Sequence, residues 1–326
     1  MGRVSAASIP LAVLAAGATG LGYAWLEARN FALRSFMMPV LPAGSAPLRV
    51  LHLSDLHLVP RQGRKQRWLA GLADLEPDLV VSTGDNLAAM DAVPAVLAAH
   101  GRLLERPGVF VLGSNDYYAP TIKSPTRYLL PNGGKQRSTG RRLPSDDLVK
   151  GFVEAGWLDL TNNRGRLTVA GAELEFVGVD DAHLNLDRYE QVAGTADTSA
   201  ALTIGVTHAP YRRVLNAMSA DGAGLLLAGH THGGQLCLPG VGALVTNCDL
   251  PRTQAKGVSR WPRDGSAGDP RTADGDRAAA DDGSGAEGSD APWLHVSAGM
   301  GTAPSTVVRF ACRPEASLLT LVAKPA

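Results

Sequence analysis

A layered α/β fold is predicted by three observations. Short apolar runs recur at 48–53, 79–81, 109–112, 174–179, 202–206 and 225–228. They are rich in Val and Leu without polar alternation, as strands buried on both faces are. Between them, 64–75, 93–104 and 211–218 carry apolar residues at helical spacing, and alternating strand and helix marks an α/β architecture. Hydrophobic residues make up 45% of the 326 residues, enough for a large core, while aromatics at 5% leave that core to Leu, Val and Ala.

Taken in order, the chain opens on a membrane question. Between Arg3 and Glu27 no side chain is charged, and those 23 residues are long enough to cross a hydrocarbon layer as a helix. An uncleaved anchor, with Tyr23 and Trp25 at the interface, is the leading expectation for 1–28. A cleaved signal peptide ending near Ala16-Gly17-Ala18 and a soluble helix are the alternatives, because Pro10, Gly17, Gly20 and Gly22 weaken the span. Arg29 and Arg34 against Arg3 favour a cytoplasmic main domain.

The catalytic domain is expected over 45–326. Two stretches interrupt its rhythm. Residues 131–147, with Lys135, Arg137, Arg141 and Arg142, read as a basic surface loop. Residues 264–292 hold no Val, Ile, Leu, Met, Phe, Trp or Tyr, and carry eight acids against two arginines. That stretch is expected to be a disordered acidic insertion, because it has no apolar surface to offset the entropy of ordering. Strands resume at 293–297 and 317–322.

Lys plus Arg, 31, equals Asp plus Glu, 31, so nothing marks the chain as a nucleic-acid coat and no nucleic-acid partner is expected. Three cysteines without C-x-x-C exclude a disulfide scaffold and a thiolate zinc finger. Cys237 and Cys248 are read as free thiols near the site.

The polar residues fall where chemistry in such folds is done. Successive apolar runs lead into Asp55-Leu56-His57, Gly84-Asp85, Gly113-Ser114-Asn115-Asp116, Thr207-His208 and Gly229-His230-Thr231-His232. Ligands of open α/β sheets bind at the carboxyl ends of strands, so these five ends deliver their donors to one place. The set is oxygen and imidazole without thiolate, which suits Mn²⁺, Fe²⁺ or Zn²⁺. Seven donors are too many for one ion and right for two that share a bridge. Any one of Asp55, Asp85 or Asn115 alone would more often be a helix cap. His52, inside the first run, and His100 and His295 are read as packed structural residues. His183, near Asp180 and Asp181, is a candidate for lining the crevice.

These motifs resemble the calcineurin-like metallophosphoesterases, whose successive signatures are D-x-H, G-D, G-N-H, a lone His and G-H-x-H. The extended Gly229 to Gln235 stretch, Ser297 to Thr302 and Val308-Arg309-Phe310 look like a bacterial membrane-associated branch similar to UDP-2,3-diacylglucosamine diphosphatases. The resemblance implies an α/β/β/α sandwich with its metal site at the strand ends. It implies one ion on Asp55, His57 and His232, another on Asn115, His208 and His230, and Asp85 between them. It departs from the family at Asp116, where a histidine that assists the leaving group is usual. Asp116 is therefore either a general acid with a raised pKa or a sign that the substrate has a good leaving group.

The expected function is hydrolysis of phosphodiester or diphosphate bonds by a hydroxide shared between two divalent ions, on a phosphorylated small-molecule or lipid-linked substrate. A phosphomonoesterase or protein phosphatase, and a catalytically silent metal-binding scaffold, are the other readings.

Overall fold

A computed structural model describes residues 8–120, 140–262, 291–302 and 307–325, with side chains from 17 onward. Lys135 and Arg137 of the basic loop, and nearly all of the acidic insertion, lie outside the described residues.

Helix α1 (Ser8–Glu27) leads into β1 (Ala32–Leu41) and β2 (Leu48–Leu53). Then come α2 (Gly63–Gly71), β3 (Leu79–Ser82), α3 (Val93–His100) and β4 (Gly108–Phe110). The short α4 (Ser114–Tyr117), α5 (Ser145–Glu154) and β5 (Leu158–Asp159) complete the first half. In the second half, β6 (Asn163–Val169), β7 (Ala172–Gly178), β8 (Leu202–Val206), α6 (Arg212–Ala220) and β9 (Leu225–Ala228) follow. A small hairpin of β10 (Cys237–Leu238) and β11 (Gly242–Ala243) precedes β12 (Gly257–Arg260), β13 (Trp293–Val296) and β14 (Glu315–Ala323).

Two six-stranded sheets result, in the orders β1-β14-β2-β3-β4-β5 and β12-β13-β9-β8-β7-β6. The second strand of each predicted βαβ unit pairs in parallel, β2 with β3, β3 with β4 and β8 with β9. Alternate side chains explain why the runs are largely apolar. Val50, Leu79, Val81 and Val109 point into the layer between the sheets, with Leu174, Ile204 and Leu225 of the other sheet. Leu51, Val80 and Phe110 face the opposite way, against Leu69, Val96 and Phe152 of α2, α3 and α5. Val177, Leu226 and Leu294 do the same beneath Val214, Leu215 and Met218 of α6. The fold is the expected layered α/β/β/α sandwich, with apolar matter on both faces of both sheets.

His52 and His295 are packed residues, as the sequence suggests, and more specifically a polar tie between the sheets. Their Nδ1 atoms lie 2.8 Å apart across the inner layer, and His52 Nε2 reaches Thr83 Oγ1 at 2.9 Å. His100 likewise sits buried, its Nδ1 donating to the Val96 carbonyl at 2.8 Å and its ring edge-on to Phe152 and Trp157.

The transmembrane anchor expected over 4–26 is corrected. Among the described residues no helix is long and apolar enough to cross a membrane. Glycines 17, 20 and 22 and the alanine-rich composition dilute its hydrophobicity. Its last turns are also engaged by protein. Tyr23 packs edge-on against Phe310 at 5.5 Å, and Arg29 lies 3.6 Å over the Trp25 ring. The Ala24 carbonyl accepts from Arg309 N, and the buried Glu27 carboxylate accepts from Ala311 N at 2.8 Å. The sheet also begins upstream of position 45, since β1 runs parallel to β14 along nearly its whole length.

Candidate metal centre

Five loops at the carboxyl ends of β2, β3, β4, β8 and β9 meet along one edge of the sandwich. They are sewn to one another through backbone groups. Asp55 N donates to Gly84 O and His57 N to Asp85 O, each at 2.9 Å, and Gly229 N donates to His208 O at 2.9 Å. Five of the seven candidate donor residues adopt a conformation that side chains rarely take. The φ angles are 52° at Asp55, 41° at His57, 57° at Asp85, 69° at His230 and 50° at His232. Each left-handed residue costs of order 1–3 kcal/mol, and such strain gathers where function demands a particular aim. Two glycines make the approach possible. A Cβ on Gly113 would press on the Asp85 carboxylate and stand 2.8 Å from the His208 ring; one on Gly299, at φ 70°, would stand 2.6 Å from Asp55 Cβ.

Two overlapping groups of donors emerge, Asp55 with His57 and His232, and Asp55 with Asp85 and His208, the donor atoms of each lying within 4.8 Å of one another. Asp85 Oδ2 is 3.5 Å from both His57 Nε2 and His208 Nε2. His57 Nε2 faces His232 Nε2 at 3.2 Å, and His208 Nε2 faces His230 Nδ1 at 3.3 Å. The carboxylate therefore stands between two imidazole pairs. Asn115 holds it there, its N and Nδ2 donating to Asp85 Oδ1 and Oδ2, both at 2.7 Å. All seven sequence-derived donors are brought together.

The surroundings fit a pair of cations. Asp55 Oδ1 and His57 Nδ1 are buried without a hydrogen-bond partner, which is costly unless a ligand completes them. His208 Nδ1 donates to the Thr83 carbonyl at 2.7 Å, fixing the tautomer that leaves Nε2 as a lone-pair donor. Burial works to raise Asp85, but His208, His57 and the Asn115 N–H groups outweigh it and hold the carboxyl below its usual range. Burial works to lower His208, yet Asp85, Asp55 and Asp181 push it up to about 9, so the anionic cluster holds a proton on Nε2 that a bound cation would replace. His230 and His232 are driven well down, by burial first and by neighbouring imidazoles second, so they stand as neutral donors.

Asp116 is buried beside the centre. Both its oxygens are occupied by backbone amides: Oδ2 accepts from Asp85 N at 2.8 Å and Gly113 N at 3.0 Å, and Oδ1 from Asn86 N at 2.8 Å and Leu87 N at 3.2 Å. Burial, then the Asp85 charge, pushes its carboxyl up to about 7, against the pull of the Gly113 and Asn86 amides. It clamps the Asp85 loop to the Asn115 loop.

His183 lies beside the centre, as its place after β7 suggests. Its ring is 4.7 Å from His230, and its Nδ1 is 3.1 Å from the Tyr211 hydroxyl. Four supporting residues were not singled out from sequence. Ser54 Oγ donates to Asp55 Oδ2 at 2.5 Å, and Lys65 Nζ to the Leu56 carbonyl at 2.7 Å. Buried Arg309 reaches His232 Nδ1 at 3.2 Å and the Ala298 carbonyl at 2.7 Å. Thr83 supplies the carbonyl beneath His208. Ser54, Thr83 and Lys65 flank the D-x-H and G-D signatures, and Arg309 sits in a late signature, so proximity to a motif was the available signal. Of the cysteines, Cys237 and Cys312 lie together behind His232, whereas Cys248 is half-buried near Thr246.

A family model for calcineurin-like phosphoesterases matches residues 48–234, from the first residue of β2 to the loop carrying His232. The chain belongs to the calcineurin-like phosphoesterase family. Members of this family use divalent metals, which is the chemistry the donor set serves. Among its relatives is the uncharacterized protein YpbG of Bacillus subtilis (strain 168), 29% identical over 231 residues, a match covering 69% of this chain and 76% of that one. The transmembrane protein with metallophosphoesterase domain of Bos taurus is 27% identical over 225 residues, covering 64% of this chain and 45% of the bovine protein. This chain thus spans under half the length of the bovine relative. Among solved structures, the phosphopantetheinyl hydrolase of Mycobacterium tuberculosis is 16% identical at a TM-score of 0.34, covering 59% of this chain and 84% of that one. The calcineurin-like phosphoesterase YfkN of Bacillus subtilis is 12% identical at a TM-score of 0.33, covering 57% of this chain and 72% of that one.

Proposed function

We propose that this chain hydrolyses phosphodiester or diphosphate bonds at a dinuclear centre. The observation that carries the reading is Asp85 Oδ2, equidistant at 3.5 Å from an imidazole of each pair. In this assignment Asp55, His57 and His232 hold one divalent ion, Asn115, His208 and His230 the other, and Asp85 both. Mn²⁺, Fe²⁺ or Zn²⁺ suits a set of carboxylate, amide and imidazole donors. Such ions, when bound, polarise a phosphoryl group and make a bound water nucleophilic near neutral pH.

The chain's own residues do the rest. Asn115, bonded to Asp85 through N and Nδ2, has its amide oxygen left for the second ion. Asp116 fixes the spacing of the two loops, and Thr83, Ser54 and Arg309 fix the aim of His208, Asp55 and His232. With position 116 committed to backbone amides, no imidazole follows Asn115 to protonate a departing alkoxide. That favours substrates whose leaving group needs little help, such as sugar or lipid-linked diphosphates and activated diesters.

The test is purified protein loaded with Mn²⁺, assayed on bis-p-nitrophenyl phosphate and on p-nitrophenyl phosphate. Metal-dependent turnover with the diester preferred supports the reading. Binding of two ions per chain without turnover of either compound would favour a silent metal-binding scaffold, and preference for the monoester would favour a phosphomonoesterase.

A further inference from the structure

Behind His232, on the side away from Asp85, two thiols occupy a place the hydrolytic reading does not use. Cys237 and Cys312 are buried in one small cluster, their sulfurs directed at a common carbonyl. Both stand on the loop that carries His232: Cys237 Sγ is 3.2 Å and Cys312 Sγ 3.5 Å from the Gly233 carbonyl, and Cys312 Sγ is 3.4 Å from that of His232. The backbone sets them one step apart, with Cys237 opposite Ala311. Cys237 N donates to Phe310 O at 2.9 Å, and Leu236 pairs in parallel with Phe310, so the two cysteines sit on adjacent segments. Adjacent paired segments place Cα atoms within the range a disulfide bridges.

The charges around the pair are equally distinctive. Arg309 is fully buried, and among the described residues no carboxylate forms an ion pair with it. Its guanidinium is spread over the carbonyls of His232, Ala298, Gly299 and Gly301, over His232 Nδ1, and over Cys312 Sγ at 3.9 Å. Lys256 Nζ adds a second donor to the same sulfur at 3.7 Å. The Cys312 sulfur is thus the acceptor shared by two cations, one of which holds a ring of the metal centre.

We propose that Cys237 and Cys312 are a reversible dithiol–disulfide pair whose oxidation by hydrogen peroxide loosens Arg309 and, through it, His232. One sulfur attacks the peroxide, whose O–O bond breaks to give a sulfenic acid and water. The second sulfur then displaces the hydroxyl as water, and the S–S bond forms. Two thiols lose two electrons and two protons, and the peroxide is reduced to two waters. A disulfide sulfur is a far poorer acceptor than a thiol held by two cations, so Arg309 and Lys256 lose their common partner. A dithiol reductant reverses the change.

The experiment treats the full chain, loaded with Mn²⁺, with hydrogen peroxide and maps its cysteines by mass spectrometry without reduction. A Cys237–Cys312 peptide is expected, with Cys248 still a thiol. Mn²⁺ affinity should fall roughly tenfold, the scale on which outer partners of a metal-bound histidine act, and recover with dithiothreitol. Cys237→Ser should keep its basal Mn²⁺ affinity and lose the response to peroxide, whereas Cys248→Ser should respond as the natural chain does. Cross-links through Cys248, over-oxidation of Cys312 without a cross-link, or an unchanged affinity in the cross-linked chain would each overturn the proposal. The affinity change rests on the metal-binding reading. The peptide map does not, so a chain that forms the cross-link yet binds no Mn²⁺ in either state would locate the failure in that reading.

Discussion

At the scale of single residues, Asp116 is the position where the account makes its sharpest demand. Its two oxygens accept four backbone N–H groups from two loops. An asparagine there turns an NH₂ toward donors and opens the gap between the Asp85 and Asn115 loops. Asp116→Asn should therefore lower Mn²⁺ affinity and kcat/KM by roughly 10- to 100-fold, and by the same factor for good and poor leaving groups. A loss confined to poor leaving groups, read from a series of substituted phenyl esters, would return Asp116 to the role of proton donor. The ligands themselves were legible in the sequence because each follows an apolar run, and the run fixes where the chain turns. The job of Asp116 was not, because it depends on a loop about thirty positions away in sequence reaching back to its carboxylate. Neither were Thr83 and Arg309, which act through a carbonyl and through an outer face of an imidazole, features no donor motif records.

At the scale of elements, the central strands were readable because burial on both faces makes them mostly apolar, without polar alternation. Strand β1 was hidden for the opposite reason. It lies at a sheet edge, is exposed over Leu33–Ser35 and contains Pro39, and among the described residues it pairs with β14, nearly three hundred residues later. Helix α3 offers a test of the interior. Burial holds His100 down to about 4, below its free value of 6.5, with the Val96 carbonyl pulling weakly the other way. Above pH 6.5 the ring is neutral folded or unfolded and contributes no pH dependence. As the pH falls from 6.5 toward 4, the unfolded chain takes up the proton first, so stability falls. One such proton is worth about 1.4 kcal/mol per pH unit. Urea unfolding of His100→Leu should show a slope of stability against pH shallower by up to that amount between pH 6.5 and 4, whatever its absolute midpoint. Parallel slopes for the two chains would mean that His100 is protonated in the fold.

At the scale of the whole molecule, the site exists because two sheets end together. The first sheet supplies Asp55, His57, Asp85 and Asn115 from β2, β3 and β4, and the second supplies His208, His230 and His232 from β8 and β9. Neither half carries a complete set. The inner apolar layer and the His52–His295 contact fix how the halves face each other, and so the spacing between the two sets of donors. The N-terminal helix belongs to this scale too. Its sequence suggested a membrane span, yet its end is bonded to Arg309 and Ala311, next to the residues behind His232. The measurement closest to the central claim is metal content by mass spectrometry after Mn²⁺ loading and desalting, for the natural chain and for Asp85→Asn. The account predicts two ions per chain in the first and one or none in the second, with the Asp85→Asn chain still folded by circular dichroism. A single ion in the natural chain, or two retained without the Asp85 carboxylate, would contradict it.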